Sequence, residues 1–291
     1  MAASAISVQL GATVATHLFG RVGPAGAAAL RLVFAAAILA AVIRPRHLRA
    51  GRRHLGVAVA FGLTMAAMNL SFYEAISRIP LGVAVTVEFA GPLAVTIVGS
   101  RRKADLAWAA LAGGGVVLLA SGGGHHLDLA GVAMALVAGG CWAGYIVLSR
   151  ETGRRFPGPV GLAMALAVSA VAVLPAGIVG AGSRLWAPEV LGIGLAVALL
   201  SSVVPYSLEL MALRRVTPRA FGVLLSLDPG VAAVAGFAVL GQHLSLRELL
   251  ALLLVMAANL GSWWATATTT DVATSGNASC HSQAARGQEG V

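Results

Sequence analysis

Two short segments combine a carboxylic acid with a proline inside long apolar runs. They are Glu88-Phe89-Ala90-Gly91-Pro92 and Leu225-Ser226-Leu227-Asp228-Pro229. A carboxylate costs about 2.5–3.5 kcal/mol to insert at the centre of a bilayer, so an acid retained in such a run indicates a functional polar site. A proline inside a helix leaves the carbonyl group four residues earlier without its donor. Each segment can therefore offer a carboxyl group near a free carbonyl, a suitable place for an ammonium group or a proton.

The composition predicts that these segments lie in a lipid bilayer. The chain of 291 residues is 58% hydrophobic and 11% charged, whereas soluble domains are roughly 25% charged. The net charge of +9 does not indicate nucleic-acid binding, because the basic residues lie in short loops between apolar runs. We expect the bilayer, and no nucleic acid, among the partners of this chain.

Ten apolar runs are long enough to be interpreted as transmembrane helices of an all-α membrane protein. They lie near residues 3–20, 25–43, 55–76, 80–100, 105–121, 129–149, 159–180, 189–212, 217–240 and 246–265. Residues 266–291 are rich in Thr, Ser, Gly, Ala and Gln, which predicts a disordered cytoplasmic tail.

The distribution of Lys and Arg predicts the orientation of the helices. Loops on one side hold fifteen basic residues: Arg44, Arg46, Arg49, Arg52, Arg53, Arg101, Arg102, Lys103, Arg150, Arg154, Arg155, Arg214, Arg215, Arg219 and Arg286. Loops on the opposite side hold four: Arg21, Arg78, Arg184 and Arg247. Because basic loops stay in the cytoplasm, we expect a multi-pass protein of the inner (plasma) membrane with both termini cytoplasmic.

An internal repeat relates the two halves of the chain. An offset of 137 residues, from Pro92 to Pro229, also aligns residues 72–80 with 209–217. Five helices per half is an odd number, so the second half must be inverted across the membrane. We predict one five-helix repeat in residues 1–124 and a second in 125–265. Inverted repeats are typical of secondary transporters, which bind their substrates near the midplane between the repeats.

A set of short motifs resembles those of a known family. In the first half these motifs are Met68-Asn69, Phe72-Tyr73, Pro80-Leu81-Gly82-Val83-Ala84-Val85, Glu88-Phe89, Gly91-Pro92-Leu93-Ala94-Val95 and Ser100-Arg101-Arg102. In the second half they are Cys141-Trp142-Ala143, Tyr145, Pro205-Tyr206-Ser207-Leu208-Glu209, Ala212-Leu213 and Phe221-Gly222. The chain resembles the threonine/homoserine exporters of the EamA-domain group in the drug/metabolite transporter superfamily, from about residue 4 to 264. Asp228 departs from the glutamate expected there.

The resemblance implies a ten-helix exporter of small neutral amino acids, driven by the proton gradient as an antiporter. It implies protons and a small-molecule substrate as partners, and we expect no cofactor and no metal. The alternative is export or import of another metabolite or drug on the same scaffold. An intramembrane enzyme would need a nucleophile with its base, or a metal triad, within the spans. The sequence offers neither.

Several side chains are candidates for the substrate or proton site. Glu88 and Asp228 could exchange a proton in each cycle, with Pro92 and Pro229 as helix breaks. Arg31 could bind a substrate carboxylate, or it could form an ion pair with Glu74, Glu88 or Glu209. The other candidates are polar groups within spans, which could also serve helix packing: Asn69, Tyr73, Trp142, Tyr145, Tyr206 and Glu209.

Overall fold

The computed structural model describes residues 2–42, 54–98, 103–120, 128–157, 159–205 and 226–262, and regular structure in these ranges is helical throughout. The helices are α1 (Ala2–Val42), α2 (Leu55–Ile76), α3 (Leu81–Glu88), α4 (Ala90–Val98), α5 (Lys103–Ala120), α6 (Leu129–Arg155), α7 (Val160–Ala181), α8 (Pro188–Ala198), α9 (Asp228–Leu240) and α10 (246–262). A 3-10 turn, Gly182–Trp186, precedes α8, and a π-helical turn, Leu199–Val203, follows it.

Four of the described helical stretches are long and apolar enough to cross a membrane. They are Ala3–Val42, Leu55–Ile76, Leu129–Arg155 and Val160–Trp186. Large apolar side chains point outward from the helices, as at Val98 and Val179, which are 87% and 88% exposed. Soluble proteins rarely expose large contiguous apolar surfaces, whereas lipid-facing helices must. The predicted class, a helical membrane protein, is confirmed, and the count of ten spans stays a prediction.

Helix α1 is folded back on itself at Gly23. This residue has φ 68° and ψ 171° and precedes Pro24. Ser7 contacts the carbonyl of Leu200, and Arg31 contacts the carbonyl of Ser201. In a straight helix, residues 7 and 31 would lie about 36 Å apart. Because they reach adjacent carbonyl groups, the two arms of α1, of about 20 residues each, must run side by side. Each arm has roughly the length of one membrane span.

The helix ends agree with local capping chemistry. Asp128 accepts a hydrogen bond from the backbone N–H of Ala130 at 2.8 Å and begins α6. Ser245 and Glu248 bond to each other's backbone N–H groups in a capping box that begins α10. Gly241, with φ 64°, ends α9 in the left-handed conformation that glycine adopts without strain.

Some of the helices differ from the predicted spans. Helix α6 continues to Arg155, beyond the expected end near 149, and the ion pair between Arg155 and Glu151 at 2.5 Å supports its last turn. The span expected at 80–100 is two helices, α3 and α4, separated at Phe89. Residues 217–225 of the span expected at 217–240 lie outside the described residues.

Small residues bring the central helices close together. A Cβ on Gly62 of α2 would lie 2.5 Å from the carbonyl oxygen of Ala165 in α7. A Cβ on Gly177 of α7 would lie 2.7 Å from the Cβ of Ala29 in the second arm of α1. Lipid provides no hydrophobic drive between helices, so close van der Waals packing through small residues stabilises such a bundle.

Candidate substrate-binding site

Glu88 lies at a helix interruption in the interior. It is the last residue of α3, α4 begins at Ala90, and Glu88 and Phe89 are 9% and 2% exposed. The N–H of Phe89 still donates to the carbonyl of Val85 at 3.1 Å, but Pro92 has no N–H to donate to the carbonyl of Glu88. Irregular backbone at membrane depth is tolerated where protein surrounds it or where it lines a cavity.

The interruption is packed against backbone of α6. A Cβ on Gly139 would lie 2.6 Å from the carbonyl oxygen of Glu88, and a Cβ on Gly91 would overlap the carbonyl oxygen of Gly139. Only glycine fits either position without a shift of the backbone. The aromatic ring of Phe89 packs edge-on against Trp142 of α6, with ring centroids 4.9 Å apart. Helix α6 therefore packs directly against the interruption.

The Glu88 carboxyl group lies within electrostatic range of two other charged candidates. It interacts favourably with Arg31 and unfavourably with Asp228. Cys141, two residues after Gly139 on α6, also lies within range of Glu88. The structure thus brings together two carboxyl groups and one guanidinium group that are far apart in the sequence.

Arg31 is held by a carbonyl group and an aromatic ring. Its Nη2 donates to the carbonyl of Ser201 at 3.2 Å, and its Cζ lies 5.8 Å from the ring centroid of Tyr73. A guanidinium over an aromatic face is attracted by the ring quadrupole. Among the described residues Arg31 forms no ion pair, and its Nε is buried without a hydrogen-bond partner. This geometry leaves a donor of Arg31 available to an anion.

The ion pair considered between Arg31 and Glu74 does not form. Glu74 instead bonds to Arg78 at 2.8 Å, and Arg78 also lies 3.7 Å from Asp128. These groups are partly exposed and lie at the ends of α2 and α6. Glu209, another partner considered for Arg31, lies outside the described residues.

Asp228 occupies a different kind of position. It begins α9, with Pro229 immediately after it in the first turn, and it is half-buried. A proline is compatible with the first turn of a helix because the N–H groups there have no helical acceptor. The amide groups of this turn favour a negative charge. Pro229 therefore lies where a helix begins, and its role as a helix break stays a prediction.

Comparison with known proteins identifies the family. The model of the EamA-like transporter family matches residues 129–264. The threonine/homoserine exporters RhtA of Salmonella typhimurium and of Escherichia coli are each 43% identical to this chain over 258 residues. The alignment covers 88% of this chain and 87% of each relative. The chain belongs to the EamA-like transporter family.

The EamA-like assignment agrees with the fold. A protein known from a crystal structure has a TM-score of 0.57 to this chain at 21% identity, and the match covers 89% of this chain and 94% of that chain. This likeness supports the overall fold over most of the chain. Family membership makes the chain a membrane transporter and not an enzyme, which confirms both predictions.

The aromatic candidates of the EamA-like chain divide between two surroundings. Tyr73 is fully buried beside Arg31. Its ring centroid lies 5.9 Å from that of Phe19. Tyr145 packs on Phe61, with ring centroids 5.1 Å apart, and so joins α6 to α2. Asn69 uses its amide to donate to the carbonyl of Met65 at 2.8 Å, within its own helix. Their roles in binding stay predictions, and Tyr206 lies outside the described residues.

Two residues at the site were not among the predicted candidates. Ser201 accepts the Arg31 hydrogen bond, and Gly139 covers the carbonyl of Glu88. The pair Ser201-Ser202 within an apolar run was the available sequence indication for the first. Gly139-Gly140 was the indication for the second, but a glycine pair alone does not identify which carbonyl group it approaches.

Proposed function

We propose that this EamA-like transporter is a proton-coupled secondary active exporter of small neutral amino acids of the threonine/homoserine type. The relatives that carry this name are 43% identical over most of both chains. The observation that supports the proposal best is the interior set of opposite charges, in which the Glu88 carboxyl group lies within electrostatic range of Arg31.

A zwitterionic substrate suits this set of charges. Arg31 binds the α-carboxylate through its free donor, since guanidinium–carboxylate hydrogen bonds are strong and directional. The carboxylate of Glu88 binds the ammonium group. When the substrate leaves, a proton neutralises Glu88, because a buried carboxylate without a partner is costly in a medium of low dielectric constant. Substrate and proton therefore alternate at Glu88, which gives antiport.

The proposed architecture is ten transmembrane helices in two inverted five-helix repeats, residues 1–124 and 125–265. Two observations support it. Helix α1 folds back into two arms of span length at Gly23, and the aligned prolines Pro92 and Pro229 each lie in the first turn of a helix, α4 and α9. The charge distribution supports an inner-membrane protein with both termini in the cytoplasm. Rocking of one repeat against the other would expose the site to each side in turn.

Transport in proteoliposomes tests the function. Purified protein is reconstituted, and uptake of radiolabelled threonine, homoserine, serine, leucine and lysine is measured with and without an imposed pH gradient. We expect gradient-dependent flux of threonine and homoserine that stops when the gradient is collapsed. Flux that persists without the gradient would indicate a passive channel and contradict the coupling.

The alternative substrate class, another metabolite or an apolar drug, is tested in the same vesicles. Drugs without a carboxylate would not need Arg31. Competition by such compounds, together with no competition by any amino acid, would contradict the proposed substrate while leaving the family assignment intact.

A further inference from the structure

A π-helical turn interrupts the helix that follows α8. Over Leu199–Val203 the N–H of Val204 donates to the carbonyl of Leu199, five residues earlier, instead of to that of Leu200. Residue 205 is a proline, so the carbonyl of Ser201 has no N–H four residues later. Two consecutive carbonyl groups, those of Leu200 and Ser201, are therefore released from the α-helical pattern. Single π-helical turns occur frequently at functional sites.

Side chains from both arms of α1 bond to the two released carbonyl groups. The hydroxyl of Ser7 donates to the carbonyl of Leu200 at 2.7 Å, and Nη2 of Arg31 donates to the carbonyl of Ser201 at 3.2 Å. Gly11 has no side chain, so the Ser201 hydroxyl packs directly on its backbone. The turn thus sets the orientation of Arg31 through a carbonyl group that Pro205 makes available.

Three buried polar atoms around Arg31 have no hydrogen-bond partner. They are Nε of Arg31, the hydroxyl of Tyr73 and the hydroxyl of Ser201. Arg31 contacts both Tyr73 and Ser201. Buried polar groups are nearly always bonded in folded proteins, so three unpartnered ones around one cation call for an explanation. All three atoms can donate, and an incoming carboxylate would supply the acceptors.

We propose that the π-helical turn positions Arg31 to receive the carboxylate of the substrate, with the Tyr73 hydroxyl as a second donor. The inference rests on the proposed function, which it deepens by assigning Ser201 and Pro205 as positioning residues and Tyr73 as a binding residue. The turn anchors one side of the guanidinium group, and the other side faces the ligand. The preference for an acid over the corresponding amide then originates in Pro205, which keeps the Ser201 carbonyl free.

The test compares L-threonine with L-threoninamide, which lacks the carboxylate. The ratio of their half-inhibitory concentrations against radiolabelled threonine transport is measured in proteoliposomes. This ratio does not depend on the amount of folded protein. Pro205→Ala restores an N–H that competes for the Ser201 carbonyl. Arg31→Lys keeps the positive charge but removes the planar guanidinium group. Each should reduce the wild-type preference for the acid at least about tenfold, the effect of losing one charge-assisted hydrogen bond.

Two further variants separate positioning from general packing. Tyr73→Phe should raise KM for threonine with little change in kcat, because it removes one donor and keeps the ring under Arg31. Ser7→Ala breaks the other bond to the same turn without touching Arg31, so it should lower the melting temperature and leave the acid-to-amide ratio unchanged. An unchanged ratio in both Pro205→Ala and Arg31→Lys would overturn the proposal.

Failure of the proposed function gives a separate result. If the wild type transports neither threonine nor homoserine, the proposed substrate is wrong. In that case the melting temperature of the full-length protein in detergent is measured with alanine, serine or valine and with the amide of each. The rise in melting temperature with each acid is compared with the rise with its amide. A preference for the acids that Pro205→Ala removes supports the carboxylate site. No preference for any acid over its amide contradicts it.

Discussion

The two segments that combine an acid with a proline place their carboxyl groups in different surroundings. Glu88 ends α3, is 9% exposed and packs under the backbone of Gly139. Asp228 begins α9, lies in the first helical turn and is half-buried. Burial opposes a permanent charge on Glu88, while the helix N-terminus stabilises one on Asp228. Similar sequence patterns thus give one group suited to exchange its charge and one suited to keep it.

The two segments should differ most in how strongly transport falls when the carboxyl group of each is replaced by an amide. Glu88→Gln should reduce gradient-driven amino-acid transport to the level of protein-free vesicles, because the site loses its exchangeable proton. Asp228→Asn should reduce it by about fivefold, the equivalent of about 1 kcal/mol of helix-terminus stabilisation. Initial rates of transport in proteoliposomes measure both effects.

Glu74→Gln is the matched control for this comparison. Glu74 pairs with Arg78 in a partly exposed ion pair, and such pairs contribute about 0–1 kcal/mol. Its transport should stay near that of the wild type. Intact gradient coupling in both Glu88→Gln and Asp228→Asn would refute a proton role for this site.

The two segments should also differ in how closely neighbouring helices pack against them, which glycine-to-alanine substitutions measure. Gly139→Ala would press a methyl group on the Glu88 carbonyl, and such overpacking costs about 1–3 kcal/mol, so the melting temperature in detergent should fall. Gly140→Ala, one residue further on the same helix, meets nothing within 4 Å and should be neutral or stabilising. Gly230→Ala in the second segment would touch only the flexible end of Met256 at 3.4 Å and should also be tolerated. Equal melting temperatures for the two α6 variants would contradict the close approach.

Replacement of the two prolines should give the smallest difference in stability and transport between the two segments. Pro229 occupies the first turn of α9, where no N–H is required, so Pro229→Ala should change stability by less than about 1 kcal/mol. Pro92→Ala supplies an N–H to the Glu88 carbonyl and allows α3 and α4 to join. It should raise the melting temperature and lower transport several-fold. Melting and initial-rate measurements on the same preparations test this, and similar effects of the two substitutions would show that the two prolines have equivalent roles.

Local pattern predicted much of the helical structure. The bounds of α2, residues 55–76, agree with the apolar run from which they were predicted. Pro92 leaves the Glu88 carbonyl without a donor, and α3 and α4 separate at the next residue, Phe89. Apolar periodicity carries no information about which neighbour packs against this point, here α6.

The candidate site residues also divide into those that the local sequence indicates and those that only packing reveals. Glu88 and Arg31 were identifiable because a charge in an apolar run is costly and therefore meaningful. The Ser201-Ser202 pair indicated a polar position in an apolar run, but it did not identify the contribution of Ser201, which is a backbone carbonyl that every residue has. Only the packing of the π-helical turn against α1 distinguishes this carbonyl from its neighbours.

The sequence by itself determined the helical membrane class, the charged residues of the interior and the prolines that leave carbonyl groups without donors. These follow from the cost of polar groups in lipid and from the chemistry of the proline ring, and both are properties of single residues. The tertiary structure alone decided that Arg31 bonds to the Ser201 carbonyl and stacks on Tyr73, within electrostatic range of Glu88. These residues are separated by up to 170 positions, and only helix packing brings them together.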